Sequence, residues 1–96
     1  MYGTVARMQL KPGSIGKMKA LTKEHETLNI PGHVNTLVYQ MDENPDVVYL
    51  VVAFENKEAY VANASDPKQN ARFEAMKELL AAAPEWHDGE VVYQMS

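Results

Sequence analysis

Val47-Val48-Tyr49-Leu50-Val51-Val52-Ala53-Phe54 contains no charged residue, and its only polar atom is the Tyr49 hydroxyl. A short apolar run of this length between turn residues reads as a strand. A strand that is apolar on both faces must be covered on both faces. Just before it, Asp42-Glu43-Asn44-Pro45-Asp46 is turn chemistry throughout. Before that turn, His33–Met41 alternates, with Val34, Thr36 and Val38 opposite Leu37, Tyr39 and Met41. Two strands joined by so short a turn form an antiparallel hairpin.

Further toward the N-terminus, Ile15, Met18, Leu21, His25 and Leu28 recur at steps of three and four, a helix stripe with Ser14 as its N-cap. Asn29-Ile30-Pro31-Gly32 stops it. Tyr2–Gln9 alternates again, placing Thr4, Ala6, Met8 and Leu10 on one side and Val5, Arg7 and Gln9 on the other. After the apolar strand, Asn56 caps a short helix through Asn63. Ser65-Asp66-Pro67 then caps a second helix, with Pro67 at its first position, where a missing N–H costs nothing. Phe73, Met76, Leu80 and Ala83 form the expected buried stripe, and Pro84 ends it. Glu90–Met95 is read as the last strand, with Asp88-Gly89 as a turn signal before it and Trp86 as a cap on the barrel end.

The order is β-α-β-β-α-β, an α+β ferredoxin-like arrangement in one domain over 1–96. Helices placed in this order cover one face of a four-stranded antiparallel sheet. The other face stays apolar, which marks an interaction surface. A second copy related by a two-fold axis covers it economically, so a homodimer through the helix-free sheet face is expected.

Composition narrows the function classes. Nine Lys+Arg against thirteen Asp+Glu give a formal net charge of −4 over 96 residues, without the basic face that duplex binding needs. The lysines between Lys11 and Lys23 are interleaved with acids and read as a solvated helix face. There are no cysteines, which rules out disulfides and thiolate metal sites. The three histidines are scattered without metal-ligand spacing, and there is no phosphate-cradling loop or nucleophile elbow. No apolar run is long enough for a membrane-spanning helix, and no signal peptide is legible, so a cytoplasmic location is the expectation.

Leu10-Lys11-Pro12-Gly13, Ile30-Pro31-Gly32-His33, Phe54-Glu55-Asn56-Lys57-Glu58-Ala59-Tyr60 and Ser65-Asp66-Pro67, set in this element order, resemble the ferredoxin-like dimeric α/β barrels. The resemblance is strongest to the antibiotic biosynthesis monooxygenase-like group. It implies a cleft between helices and sheet for flat aromatic substrates of quinol or anthrone type. It also implies oxidation by molecular oxygen without metal, flavin or other cofactor. Tyr60 stands where such members often carry a tyrosine, and Phe54 where they often carry a tryptophan. Arg72 lies near a substrate-facing arginine, and Leu50 stands where some members carry an asparagine. Haem-degrading members use an asparagine, a tryptophan and a histidine ligand. The matching positions here are Ala6, Asn63 and Phe73, which excludes haem degradation.

The candidate catalytic residues are therefore His25, Tyr60 and Arg72, and the candidate substrate-binding residues are Phe54, Tyr60 and Phe73. His25 interrupts an apolar stripe and can act as a base near neutral pH; the plainer reading is a histidine at the core edge with a hydrogen-bond partner. His33 reads as a surface residue, and Arg72 as a cation for a ligand contact or for a salt bridge to Glu55, Glu58 or Glu74. The competing functional class is a non-catalytic, small-ligand-binding or stress-associated barrel, in which Met8, Met18 and Met76 fill the cleft. The protein purified from cells is expected to carry no haem, flavin or metal. A stoichiometric visible absorbance band, or metal by elemental analysis, would overturn that expectation.

Overall fold

The computed structural model describes residues 1–95; Ser96, the last residue of the expected domain, lies outside the described residues. Strands β1 (Tyr2–Gln9), β2 (His33–Gln40), β3 (Val47–Phe54) and β4 (Glu85–Glu90) alternate with helices α1 (Ile15–Glu26), α2 (Lys57–Ala64) and α3 (Pro67–Lys77). The sheet is antiparallel in the order β2-β3-β1-β4, with the apolar β3 and the alternating β1 at its centre. The β-α-β-β-α-β reading holds, with the second helical unit divided into α2 and α3 at Ser65-Asp66.

The caps explain where the helices start. Asn56 Oδ1 accepts from the Ala59 N–H at 2.8 Å, and Asp66 Oδ1 accepts from the Lys68 N–H at 2.9 Å, with Pro67 at the first turn of α3. Ser14 occupies the N-cap of α1 as expected, but its side chain makes no capping bond. The turn before β3 is anchored instead to the β1–α1 loop. Asp46 accepts from the Leu10 N–H through its carbonyl at 2.7 Å and from the Gly13 N–H through Oδ1 at 3.2 Å.

All helices lie over one sheet face. On that face the register sets Ala6 beside Leu50 and Met8 beside Val48. With Leu10, Met18, Met76 and Leu80 these residues form the core. The opposite face carries Val5, Leu37, Tyr39, Tyr49 and Val51, with Leu37 and Tyr39 about half exposed (45% and 54%). Leu37, Val51 and Val5 are neighbours across three strands in one row. Beside it runs Tyr39-Tyr49-Arg7-Glu85, with Arg7 and Glu85 paired at 3.6 Å.

The C-terminal region corrects the sequence reading. α3 stops at Lys77, and the chain is drawn back to β1 at once. Leu80 bridges Leu10, the Lys11 N–H reaches the Leu79 carbonyl at 2.8 Å, and the Ala81 N–H reaches Gln9 at 2.8 Å. Running antiparallel from there, β4 pairs Glu85 with Arg7 through Glu90 with Tyr2. It ends at Glu90, opposite Tyr2 at the end of β1, and the Val91 N–H bonds the Met1 carbonyl at 2.9 Å. The last strand is thus the polar Glu85–Glu90 segment. Val92, Tyr93 and Met95 continue past the sheet almost fully exposed. Asp88 and Gly89, expected as a turn, are strand residues, as are Trp86 and His87.

Gly3 faces Ala53 and Gly89 across its neighbours, and a Cβ there would collide with the Val52 carbonyl. Gly89, one strand over, has open space around it. Gly3→Ala is therefore expected to cost about 1–3 kcal/mol, a fall in Tm of roughly 5–15 °C, whereas Gly89→Ala should leave Tm within about 2 °C. Equal melting temperatures for the two variants would show that the close β1–β3 approach is not limiting.

Candidate functional site

At the Thr4–Phe54 end of the sheet, away from Met8 and Leu10, helices and sheet do not close on one another. The result is a cavity of about 740 Å³ between helices and sheet. Its floor is Thr4 of β1, Leu50, Val52 and Phe54 of β3, and Trp86 and Asp88 of β4. Its roof is Met18, Leu21 and His25 of α1, Tyr60 of α2, and Phe73 and Met76 of α3. Aromatic edges knit the wall: Tyr60 meets Tyr2 and Phe54 edge-on, with centroids 5.4 and 5.8 Å apart, and Phe73 packs on Trp86 at 5.7 Å. Such edge-to-face contacts hold rings in place.

Polar side chains are set among these apolar ones, and His25, Thr4, Tyr60 and Asp88 bear on the chemistry of the cavity. His25 projects from the apolar stripe of α1, and its Nε2 is buried with no hydrogen-bond partner among the described residues. Burial first, and then the neighbouring Arg72 guanidinium, hold its pKa below the ordinary 6.5, while Glu24 pulls weakly the other way. The imidazole is therefore neutral at pH 7. The sequence reading of a core-edge histidine with a satisfied partner does not describe it.

Thr4 is the polar residue on the helix-facing side of β1. It is 5% exposed, and its Oγ1 likewise has no well-formed hydrogen bond. Across the β1–β4 pairing it faces Asp88, whose Oδ1 accepts the Tyr60 hydroxyl at 2.8 Å. Burial, then this hydrogen bond and the Asp88 charge, push the Tyr60 phenol up to about 12, with the nearby Thr4 hydroxyl easing its ionisation slightly. Tyr60 is therefore a fixed neutral donor.

Of the candidates read from sequence, the structure brings His25, Tyr60, Phe54 and Phe73 to this one cavity. Arg72 does not line it. It sits in the outer groove between α1 and α3, beside Leu21, Glu24 and His25, and donates from Nε to Gln69 at 2.9 Å. None of the acids expected to pair with it does so: Glu74 pairs with Lys77 at 3.4 Å. His33 is exposed, as read, with its ring bonded to the Thr36 hydroxyl at 2.7 Å and set edge-on to Phe54. Met8 is buried in the core and does not line the cavity. Asp88, Trp86 and Thr4 are the additions. Thr4 was detectable as the lone polar residue on the inward side of β1. Asp88 and Trp86 were hidden by the turn-like look of Asp88-Gly89. Among the described residues no cluster of three His, Asp or Glu can hold a metal, and no helix is long and apolar enough to cross a membrane.

Solved structures share this architecture. A candidate antibiotic biosynthesis monooxygenase from Chloroflexus aurantiacus superposes with a TM-score of 0.80 at 24% identity, covering 99% of this chain and 96% of that one. Another, from Bordetella bronchiseptica, gives 0.81 at 18% identity, covering 96% and 97%. A mutant of SnoaB, a cofactor-independent oxygenase from Streptomyces nogalater, gives 0.83 at 11% identity, covering 98% and 95%. At these identities the likeness is one of fold. No curated protein matches the sequence. The sequence pattern described as antibiotic biosynthesis monooxygenase matches residues 1–75, most of the chain and all but one of its elements. The chain belongs to the antibiotic biosynthesis monooxygenase family.

Proposed function

We propose that the protein is a cofactor-independent monooxygenase acting on a flat aromatic substrate of quinol or anthrone type. The observation that carries this reading is His25: a buried, unpartnered imidazole nitrogen beside an aromatic-walled cavity, in surroundings that keep it neutral. Its family and its likeness in fold to a cofactor-independent oxygenase support the same reaction class.

The chemistry follows from the substrate's own reactivity. The neutral His25 takes a proton from an activated ring position. The resulting anion, delocalised onto a ring oxygen, is electron-rich enough to reduce molecular oxygen. A carbon–oxygen bond forms, giving a peroxide that takes up the proton from His25. Loss of water then leaves a ring carbonyl: two hydrogens and one oxygen atom depart as water, and the second oxygen atom stays on carbon. The protein's work is to exclude water, hold the ring against Phe54, Phe73 and Trp86, and meet the developing oxyanion. Thr4, whose hydroxyl makes no well-formed hydrogen bond, is the available donor for that oxyanion, since the Tyr60 hydroxyl is committed to Asp88. Met18 and Met76 in the wall favour the alternative of a binding barrel without catalysis. A cavity lined by polar as well as apolar groups, with the His25 nitrogen unpartnered, weighs against it.

The assembly we propose is a homodimer joined through the helix-free face, where the row of Leu37, Val51 and Val5 meets its two-fold equivalent.

Two measurements test these readings. Oxygen uptake with a panel of anthrones and quinols should exceed the protein-free rate, and His25→Ala should lower it by roughly 10²–10⁴-fold. Because the base works unprotonated and its pKa is lowered, wild-type turnover should hold at neutral pH and fall only on the acid side of 6.5. Uptake that never exceeds the protein-free rate would eliminate the oxygenase reading. In sedimentation, the wild type should run as a dimer, and Val51→Glu should weaken it by roughly 100-fold or more by burying an unpaired charge. A wild type that is monomeric at micromolar concentration would remove the proposed interface.

A further inference from the structure

The charges around the cavity are one-sided. Asp88 and Glu26 line it, together with the imidazoles of His25 and His33, and no lysine or arginine does among the described residues. The neighbouring cations lie outside the lining, although the Arg72 charge is felt at His25. Arg72 is in the outer groove on Gln69, and Lys57 and Lys77 lie over the rings of Tyr2 and Phe73, each 5.6 Å from the centroid. A ligand carboxylate would therefore enter beside a negative charge with no counter-ion in the lining.

Asp88 has a second property. Only Oδ1 is used, by the Tyr60 hydroxyl at 2.8 Å, and a carboxylate can accept several hydrogen bonds. Directly opposite in the β1–β4 register is Thr4, 5% exposed, whose hydroxyl stands near the Tyr60 oxygen but makes no well-formed hydrogen bond. Side chains paired in this way stand about 5 Å apart, close enough for one ring hydroxyl to bridge them. That hydroxyl would donate to Asp88 and accept from Thr4. Trp86, two residues along β4 on the same face, supplies the apolar surface for the ring that carries it. Asp88 itself stays exposed on its edge strand, so it meets a ligand at the open side of the cavity.

We propose that Asp88 sets the specificity of the cavity, selecting a neutral aromatic ring that donates a hydroxyl hydrogen and turning away a ring that carries a carboxylate. This rests on the cavity being the ligand site, and it is independent of whether the ligand is then oxidised. Asp88 is a specificity residue here; the proton-transfer role stays with His25.

Equilibrium dialysis with 2-naphthol, 2-methoxynaphthalene and 2-naphthoate at pH 7 tests it on the intact protein. The three share a ring and differ in whether they donate, only accept, or carry a negative charge. The wild type should bind 2-naphthol about fivefold or more tightly than either of the others, a modest factor because Asp88 is partly solvated. Comparison with Asp88→Asn cancels the intrinsic difference in hydration among the ligands. In that variant 2-naphthoate should gain at least about fivefold relative to 2-naphthol. Raising the salt concentration should narrow the same gap in the wild type. Equal wild-type affinities, no binding of any of the three, or a variant that folds by circular dichroism yet keeps the wild-type order would each overturn the proposal. The expected preference without oxygen uptake would remove the oxygenase reading and leave this one standing.

Discussion

Everything in the molecule hangs on the pairing of β1 with β3, which runs without interruption from Tyr2 opposite Phe54 to Gln9 opposite Val47. These are the two central strands, so each must satisfy a neighbour on both edges and a layer on at least one face. The pairing puts Ala6 beside Leu50 and Met8 beside Val48 beneath the helices, where burial supplies most of the folding drive. It also brings the two backbones close enough at Gly3 that no side chain fits. The same register grades the space under the helices. At the Met8–Leu10 end, Leu80 and Met76 fill it. Toward Thr4, Met18, Leu50 and Met76 form the last packed layer, and beyond them the cavity opens. Core and candidate site are thus two ends of one continuous layer.

How far this was legible in the sequence depended on whether the deciding contacts were local. β3 was legible to the residue because its apolar run is bounded by a turn signal on one side and a capping Asn56 on the other. His25 was legible because a single polar residue broke a helical stripe. The last strand was misread for a definite reason. Hydrophobicity favours Val91–Met95, but strand pairing is decided by where a partner edge is met, and the chain is back on β1 already at Leu80, so Glu85–Glu90 takes that edge. A polar segment with Asp88 and Gly89 forms the strand because backbone hydrogen bonds to an open edge outweigh weak β propensity. Asp88 then follows as a site residue that no local pattern could reveal, since its partner Tyr60 lies 28 residues away. Arg72 was placed on the right helix, but turned toward the α1 groove and held there by Gln69.

The electrostatics of the cavity have one sense. Burial keeps His25 and Tyr60 in their neutral forms, lowering the first pKa and raising the second to about 12. For His25 the consequence for stability runs parallel to its chemistry. An unfolded chain takes up a proton near 6.5, whereas the folded one resists until lower pH. The fold is therefore favoured above that value and loses stability as pH falls through the window between the two. An imidazole held this way is available as a proton acceptor at neutral pH without bringing a charge into an apolar space. Arg72 contributes to that state without lining the cavity itself, acting on His25 from the far side of the helix pair.

The two faces of the sheet cannot be changed independently. Side chains alternate along β3, so Leu50 and Val52 face the cavity while Val51 between them lies on the helix-free side. A slip of one residue in the β1–β3 register would put either Val51 into the cavity or Thr4, with its buried hydroxyl, onto the open face. The apolar character of β3 on both sides is the sequence-level trace of this double demand. One set of side chains must pack under helices and shape a ligand space, and the other must present a surface that water does not favour. A strand serving only one of these ends would have needed half as many apolar residues.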